Sequence, residues 1–305
     1  VKAWLILLAV GALSMLSAGQ QSGDAANSQA AASPPVNASQ EATMDSPCAA
    51  LSAEDPQVTP LAKVCEFALK FRQNLPDSTC EQTTISTCRQ TTVSRCKQTA
   101  GSKGPAVQAQ VTYLNGKEHY SNVKIDGKPV PGDRVGERRK PYLLTRGEFG
   151  SDLVYLFTPP MVVEFKLHRE TTLRANRALV YQFHLAADKN TFWTIYDDRN
   201  RSVKPELRGE LWIDSQTNRL LRLQVEPVHL PLEFDVESGS TIIDYAEVGL
   251  GDAGIFLLPT SSLTDACMRE YDVDLLNTTL VCVSNAVTFQ NCHKFGARAR
   301  IVEVH

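Results

Sequence analysis

The stretch RGELWIDSQTNRLLRLQVEP, residues 208–227, reads as a β-hairpin. Trp212 and Asp214 are separated by Ile213, so in an extended strand they share one face. Ser215, Gln216, Thr217 and Asn218 are turn formers, and the Asp214 carboxylate is placed to accept their backbone N–H groups. On the return strand Leu221, Leu223 and Val225 alternate with Arg222, Gln224 and Glu226, so one face is apolar and the other polar. A half-buried strand of this kind needs neighbours and a cover, and the surrounding chain supplies both.

Upstream, Leu179, Tyr181, Phe183 and Leu185 alternate with Val180, Gln182 and His184, and Phe165 and Leu167 alternate with Lys166 and His168. Val107, Val111 and Tyr113 repeat the pattern after Pro105, followed by hairpin signals at Asn115-Gly116 and Asp126-Gly127. Further strand-like runs fall at 191–197, 232–237, 241–248, 254–260, 280–290 and 295–303. Two helices are expected. Thr59 as N-cap, Pro60 as first residue and the spacing of Leu61, Val64, Cys65, Ala68 and Phe71 predict one over about 61–74. Phe149, Leu153, Leu156 and Phe157 predict a short second one, stopped by Pro159-Pro160. About eleven strands and two helices define an α+β antiparallel domain. One amphipathic helix and a short one cannot cover so wide a sheet. The sheet is therefore expected to curl into a half-barrel with a concave apolar face.

Three near-copies of one octapeptide, STCEQTTI, STCRQTTV and SRCKQTA, occupy residues 78–100. In one continuous strand their cysteines, Cys80, Cys88 and Cys96, share a face. Neighbours lie too far apart to pair within it. A tandem duplication of one strand motif, partly looped out, accounts for them better than a three-unit solenoid. This segment reads as an insertion.

The N-terminal run AWLILLAVGALSMLSA, with Lys2 before it and small residues after, predicts a secretory signal peptide over 1–19. Residues 20–55 are rich in Ala, Ser, Gln and Asn and are expected to be a disordered tether. Residues 56–305 form a single domain. The chain has 305 residues, with 31 Lys and Arg against 34 Asp and Glu, so it carries no global basic field for nucleic acid. Eight cysteines without a Cys-x-x-Cys pair point to disulfides in an oxidising compartment rather than to zinc. A Cys65–Cys80 bridge would tie the first helix to the first strand. A hairpin centred between 274 and 275 would place Cys267 opposite Cys282, with Cys292 as the alternative partner. Cys48, Cys88 and Cys96 stay unassigned.

No nucleophile elbow, phosphate loop, dinucleotide motif or His-Glu-x-x-His occurs. The six histidines are scattered, and Asp197-Asp198 reads as a turn. No cofactor, no metal and no catalytic role is expected. The basic loop at Arg134, Arg138, Arg139 and Lys140 reads as solvated, with contact to anionic headgroups as the alternative.

Three stretches carry a family resemblance: GEFGSDLVYLF (147–157), the hairpin at 208–227, and IDYAEVGLGDAGIFLLPTSS (243–262). The Gly-x-Leu-Trp-Ile-Asp strand with its arginine-containing return strand resembles the outer-membrane lipoprotein carrier and lipoprotein-sorting superfamily. In particular, the run from about 60 to 304 resembles a group of bacterial envelope proteins that share this hairpin. The resemblance implies a half-barrel with helices in its mouth, an exported protein, periplasmic or outer-membrane-associated, and a lipid or acylated-protein ligand. The ligand face would be made by Val107, Val111, Tyr113, Phe165, Leu167, Tyr181, Phe183, Trp212, Leu221 and Leu223. The alternative is a structural or interaction module that meets other envelope proteins and has a filled core.

Overall fold

The computed structural model describes residues 5–8, 48, 51, 59–74, 78–90, 103–114, 117–130, 142–145, 147–197, 199, 201–272 and 277–294. The expected tether, the third octapeptide copy, the basic loop and the strand expected at 295–303 fall largely outside these residues. Helix α1 spans Thr59–Asn74 and α2 spans Ser151–Leu156. The main sheet holds β2 (Ser78–Gln90), β3 (Lys103–Leu114), β4 (Lys117–Ile125), β5 (Lys128–Pro129), β7 (Glu164–Leu173), β8 (Asn176–Leu185), β11 (Glu206–Asp214), β12 (Leu220–Val228), β13 (Val236–Gly249), β14 (Ile255–Asp272) and β15 (Asn277–Lys294). Its order is β5-β4-β3-β2-β15-β14-β13-β12-β11-β8-β7. Each neighbouring pair is antiparallel, and the two ends do not meet, so the sheet is an open half-barrel. A smaller sheet joins β1 (Leu5–Leu8), β6 (Tyr142–Thr145), β9 (Ile195–Tyr196) and β10 (Ser202–Val203).

The hairpin at 208–227 pairs as β11 and β12, and Asp214 Oδ1 accepts the N–H groups of Gln216 at 2.9 Å and Thr217 at 2.8 Å. Two sequence runs expected as separate strands, 232–237 and 241–248, merge into β13. The runs at 254–260 and 280–290 lengthen into β14 and β15, of 18 residues each. Their residues alternate in burial over the added length, with Ala266 and Met268 facing Val283 and Val281. The first octapeptide copy and residues 86–90 of the second lie in β2, where Cys80 and Cys88 are both buried.

The disulfides correct one expectation. Cys65 is bonded to Cys48, and Cys80 to Cys292, in place of a Cys65–Cys80 bridge. The reason is a register shift between β15 and β2. Gln290 faces Glu81 but His293 faces Thr79, so Asn291 and Cys292 together oppose Cys80. This bulge turns the Cys292 side chain onto the Cys80 face. Cys267 is bonded to Cys282, directly opposite it in the β14–β15 ladder. Cys88 is also disulfide-bonded.

Candidate functional site

The concave face carries most of the side chains expected there, and it is covered. Tyr181, Phe183 and Leu223 join Leu207, Leu211, Ile213 and Ile243 in one apolar cluster with Leu61, Val64, Cys65 and Ala68 of α1 and Leu153 and Leu156 of α2. Phe165 and Leu167 pack half-buried at its margin, and the Phe165 ring stacks on Phe157 at 5.3 Å. Val111 and Tyr113 belong to a second cluster with Phe71, Phe149, Val154, Leu258, Val287 and Phe289. Val107 is half-buried further along the same strand face. The two helices thus sit in the half-barrel as plugs, each with its apolar stripe turned to the sheet.

Two expected face residues lie elsewhere. Trp212 stands on the convex side, because its neighbours Leu211 and Ile213 take the core positions. The register slips between Trp212 and Ile213, which face Arg222 and Leu220, so Leu221 is the extra residue of a bulge and Leu220 is buried in its place. On the convex side Trp212 lies between two guanidinium groups, with Arg169 Cζ 5.1 Å and Arg222 Cζ 5.8 Å from its ring centroid. Arg169 binds both Glu210 oxygens, at 2.6 and 2.9 Å, and the indole N–H donates to Glu210 at 3.0 Å. Arg222 and Arg174 both reach Asp244. Trp212→Ala is expected to lower stability by about 1–2 kcal/mol, the sum of two partly exposed cation–π contacts and lost cover over Val180. Urea denaturation checks this. Ligand uptake should not change.

Beneath α2 the sequence reading missed an acidic core. Glu118 of β4 accepts hydrogen bonds from Tyr120 Oη (2.8 Å), Ser151 Oγ (3.2 Å), Gly147 N (3.3 Å) and Ser151 N (3.4 Å). Gly150 offers no side chain to cap α2, and the Glu118 carboxylate supplies that function from another strand. Gly150 is required for a second reason: a side chain there would strike the Phe71 ring of α1. Asp152 accepts the Trp193 indole N–H at 2.9 Å. Glu148 and Asp152 are buried and Glu118 is half-buried, and the Tyr245 hydroxyl is buried near Asp152 and Glu118 with no hydrogen-bond partner among the described residues. Burial pushes the Glu118 carboxyl up. Burial first, and the Glu148 charge second, push Asp152 well above the usual carboxylate range. Tyr245 is raised by burial and then by Asp152 and Glu118. The signal was present in the odd placement of Glu148 and Asp152 within an apolar helix pattern.

A carboxyl whose folded pKa lies above its unfolded value gives stability that is full below the unfolded pKa, about 4. That contribution is lost as pH rises through the folded pKa. The wild type is therefore expected to gain stability from this core on acidification from neutral pH. Asp152→Asn keeps an acceptor for Trp193 and removes the ionisation. It should raise the urea midpoint at pH 7 and flatten its pH slope, with the two proteins converging near the unfolded pKa. A variant less stable at pH 7 with an unchanged slope would contradict the assignment.

Two spaces open in this region. A small pocket of about 50 Å³ is lined by Trp193, Ile195, Leu207, Val225 and Val236, with Glu148, Asp152 and Asp265 on its wall. A wider groove of about 360 Å³ runs between α1 and the start of β14, lined by Lys63, Glu66, Phe67, Lys70, Phe71, Phe256 and Leu257. Among the described residues, no group of three or more His, Cys, Asp or Glu side chains is placed to hold a metal ion.

No family model matches the chain, and no curated protein matches it. Two solved structures are similar to it. One is a LolA superfamily protein from Nitrosomonas europaea, 11 % identical, covering 77 % of this chain and 93 % of that one, with a TM-score of 0.34. The other is a DUF1329 family protein from Desulfovibrio piger, 7 % identical, covering 79 % of this chain and 95 % of that one, with a TM-score of 0.35.

Proposed function

We propose that this is an exported, non-catalytic protein of the bacterial envelope. It binds an apolar ligand, a lipid or an acylated protein, in the half-barrel, with α1 as its movable cover. The carrying observation is the way α1 is held. Its contribution to the core is apolar, through Leu61, Val64, Cys65 and Ala68, and its lysines pair within the helix, Lys63 and Lys70 each with Glu66. A cover attached by apolar contacts and one bridge to Cys48 can shift without breaking buried ion pairs, and an acyl chain can replace its contacts like for like. The open groove lies along its flank. Export is supported by the disulfides Cys48–Cys65, Cys80–Cys292 and Cys267–Cys282 and by the apolar N-terminal run. Cleavage after about residue 19 is part of the proposal.

The test is native mass spectrometry of the protein recovered from an oxidising compartment, followed by solvent extraction and lipid analysis. A co-purifying acyl species in near-stoichiometric amount is the expected result. A clean apo mass with no uptake of added fatty acid or lipopeptide would overturn it. The protein would then be an interaction module with a filled core, a reading favoured by the complete burial of Leu211, Ile213, Leu220 and Leu223.

A further inference from the structure

The groove between α1 and β14 has a chemistry more specific than an apolar surface. We propose that it takes the chain of an anionic amphiphile, with the acidic head held at Lys63 and Lys70. This rests on the reading above and names the entry site and the ligand class.

The floor is Phe67, Phe71, Phe256 and Leu257. Phe67 and Phe71 meet edge to face at 5.5 Å, and Phe71 continues to Tyr113 at 5.6 Å, so the floor runs into the concave core without a polar break. Ile255, 71 % exposed, extends the apolar strip outward along β14. A volume of about 360 Å³ lies within the usual range of small-ligand sites, roughly 300–1,000 Å³.

The rim is a charge row on the exposed flank of α1. Lys63 and Lys70 are two turns apart, with Glu66 between them at 3.6 Å and 3.9 Å. Two ammonium groups share one carboxylate, so the row carries one uncompensated positive charge on a chain whose net charge is -3. Both pairs are long and exposed, and pairs of that kind contribute little and exchange readily. A carboxylate or phosphate monoester head would complete the row, one anion for each lysine. The lysine stems can lie along the chain while their ammonium groups stay in water. A cationic head would face repulsion from both lysines. A neutral head would gain nothing from them. The site therefore selects by charge at the rim and holds by apolar contact at the floor.

The experiment titrates the full secreted chain with four chain-matched amphiphiles below micelle-forming concentration. Their heads are a carboxylate, a phosphate, a neutral glycoside and a trimethylammonium. Calorimetry should show both anionic probes binding about threefold to tenfold tighter than the neutral one, with the cation weakest. The double variant Lys63→Gln and Lys70→Gln should lose that order while keeping its fold, since both side chains are exposed. Glu66→Gln should sharpen it. Phe67→Ser should weaken all four probes. Equal binding of all four heads by the wild type would overturn the charge selection and leave the apolar binding reading standing. An order that survives loss of both lysines would place the head elsewhere and overturn the site. No binding of any probe would remove both readings. A dimer abolished by Phe67→Ser would put a second copy in the groove and overturn the ligand.

Discussion

Gly209→Ala should cost about 3–5 kcal/mol, the largest effect expected of a methyl group added at any of the described glycines. Gly209 lies mid-strand in β11, opposite Phe183 on one side and Val225 on the other. A Cβ built there falls within the van der Waals radius of both the Gln224 carbonyl oxygen and the Phe183 ring. The ring could turn aside, but the carbonyl belongs to the β11–β12 ladder and cannot. Glycine in a strand interior is normally a weakness. Here it lets Phe183 lie flat across the strand and close the floor of the main cluster. Equilibrium denaturation, with a parallel Gly249→Ala control where a Cβ meets nothing, checks the figure. A Gly209→Ala midpoint equal to the control would show that the close approach carries no energy.

Replacing Cys80 and Cys292 together by serine is expected to cost about 5 kcal/mol on the chain-entropy account, because the bridge closes a loop of 212 residues. The same change at Cys267 and Cys282, separated by 15 residues, should cost about 3 kcal/mol. The order of the two losses matters more than either value. The long bridge joins β2 to β15, and so fastens the two halves of the sheet across the only seam that links them by strand pairing among the described residues. A loss at Cys80–Cys292 no larger than that at Cys267–Cys282 would show that the unfolded chain already holds the seam together.

Much of this was legible in the residues themselves. The hairpin at 208–227 declared its turn through Asp214, and the helix at Thr59 declared its start through the Thr-Pro pair. Alternation in 107–113, 163–167 and 179–185 placed Val111, Tyr181 and Phe183 on one face, and the width of the apolar surface required curling. What failed did so for local reasons. Period-two reading assumes an unbroken ladder, so the bulge opposite Trp212 exchanged Leu221 for Leu220, and the bulge at Asn291 gave Cys80 its unforeseen partner. The resemblance places Trp212 on the ligand face, yet its ring is held outside by Arg169 and Arg222, a use of aromatic surface that alternation does not distinguish. Glu118 reads as one more polar residue of a strand. Its role as the cap of α2 depends on two segments that meet only in space.

The strand order has a consequence for how the chain is made. The run from β7 to β15 can zip up hairpin by hairpin as it emerges, apart from the β8–β11 pairing that spans the small sheet. The N-terminal meander β2–β5 cannot join it until β15 appears: Ser86 waits for Asn285, 199 residues later, to receive its hydrogen bond. While the chain folds, both edges of that seam, β2 and later β14, stand open to wrong partners. A pairing that must wait for so distant a partner slows the closing of the sheet. β15 is thus the keystone among the described strands, and any truncation that removes it leaves the main sheet in two parts.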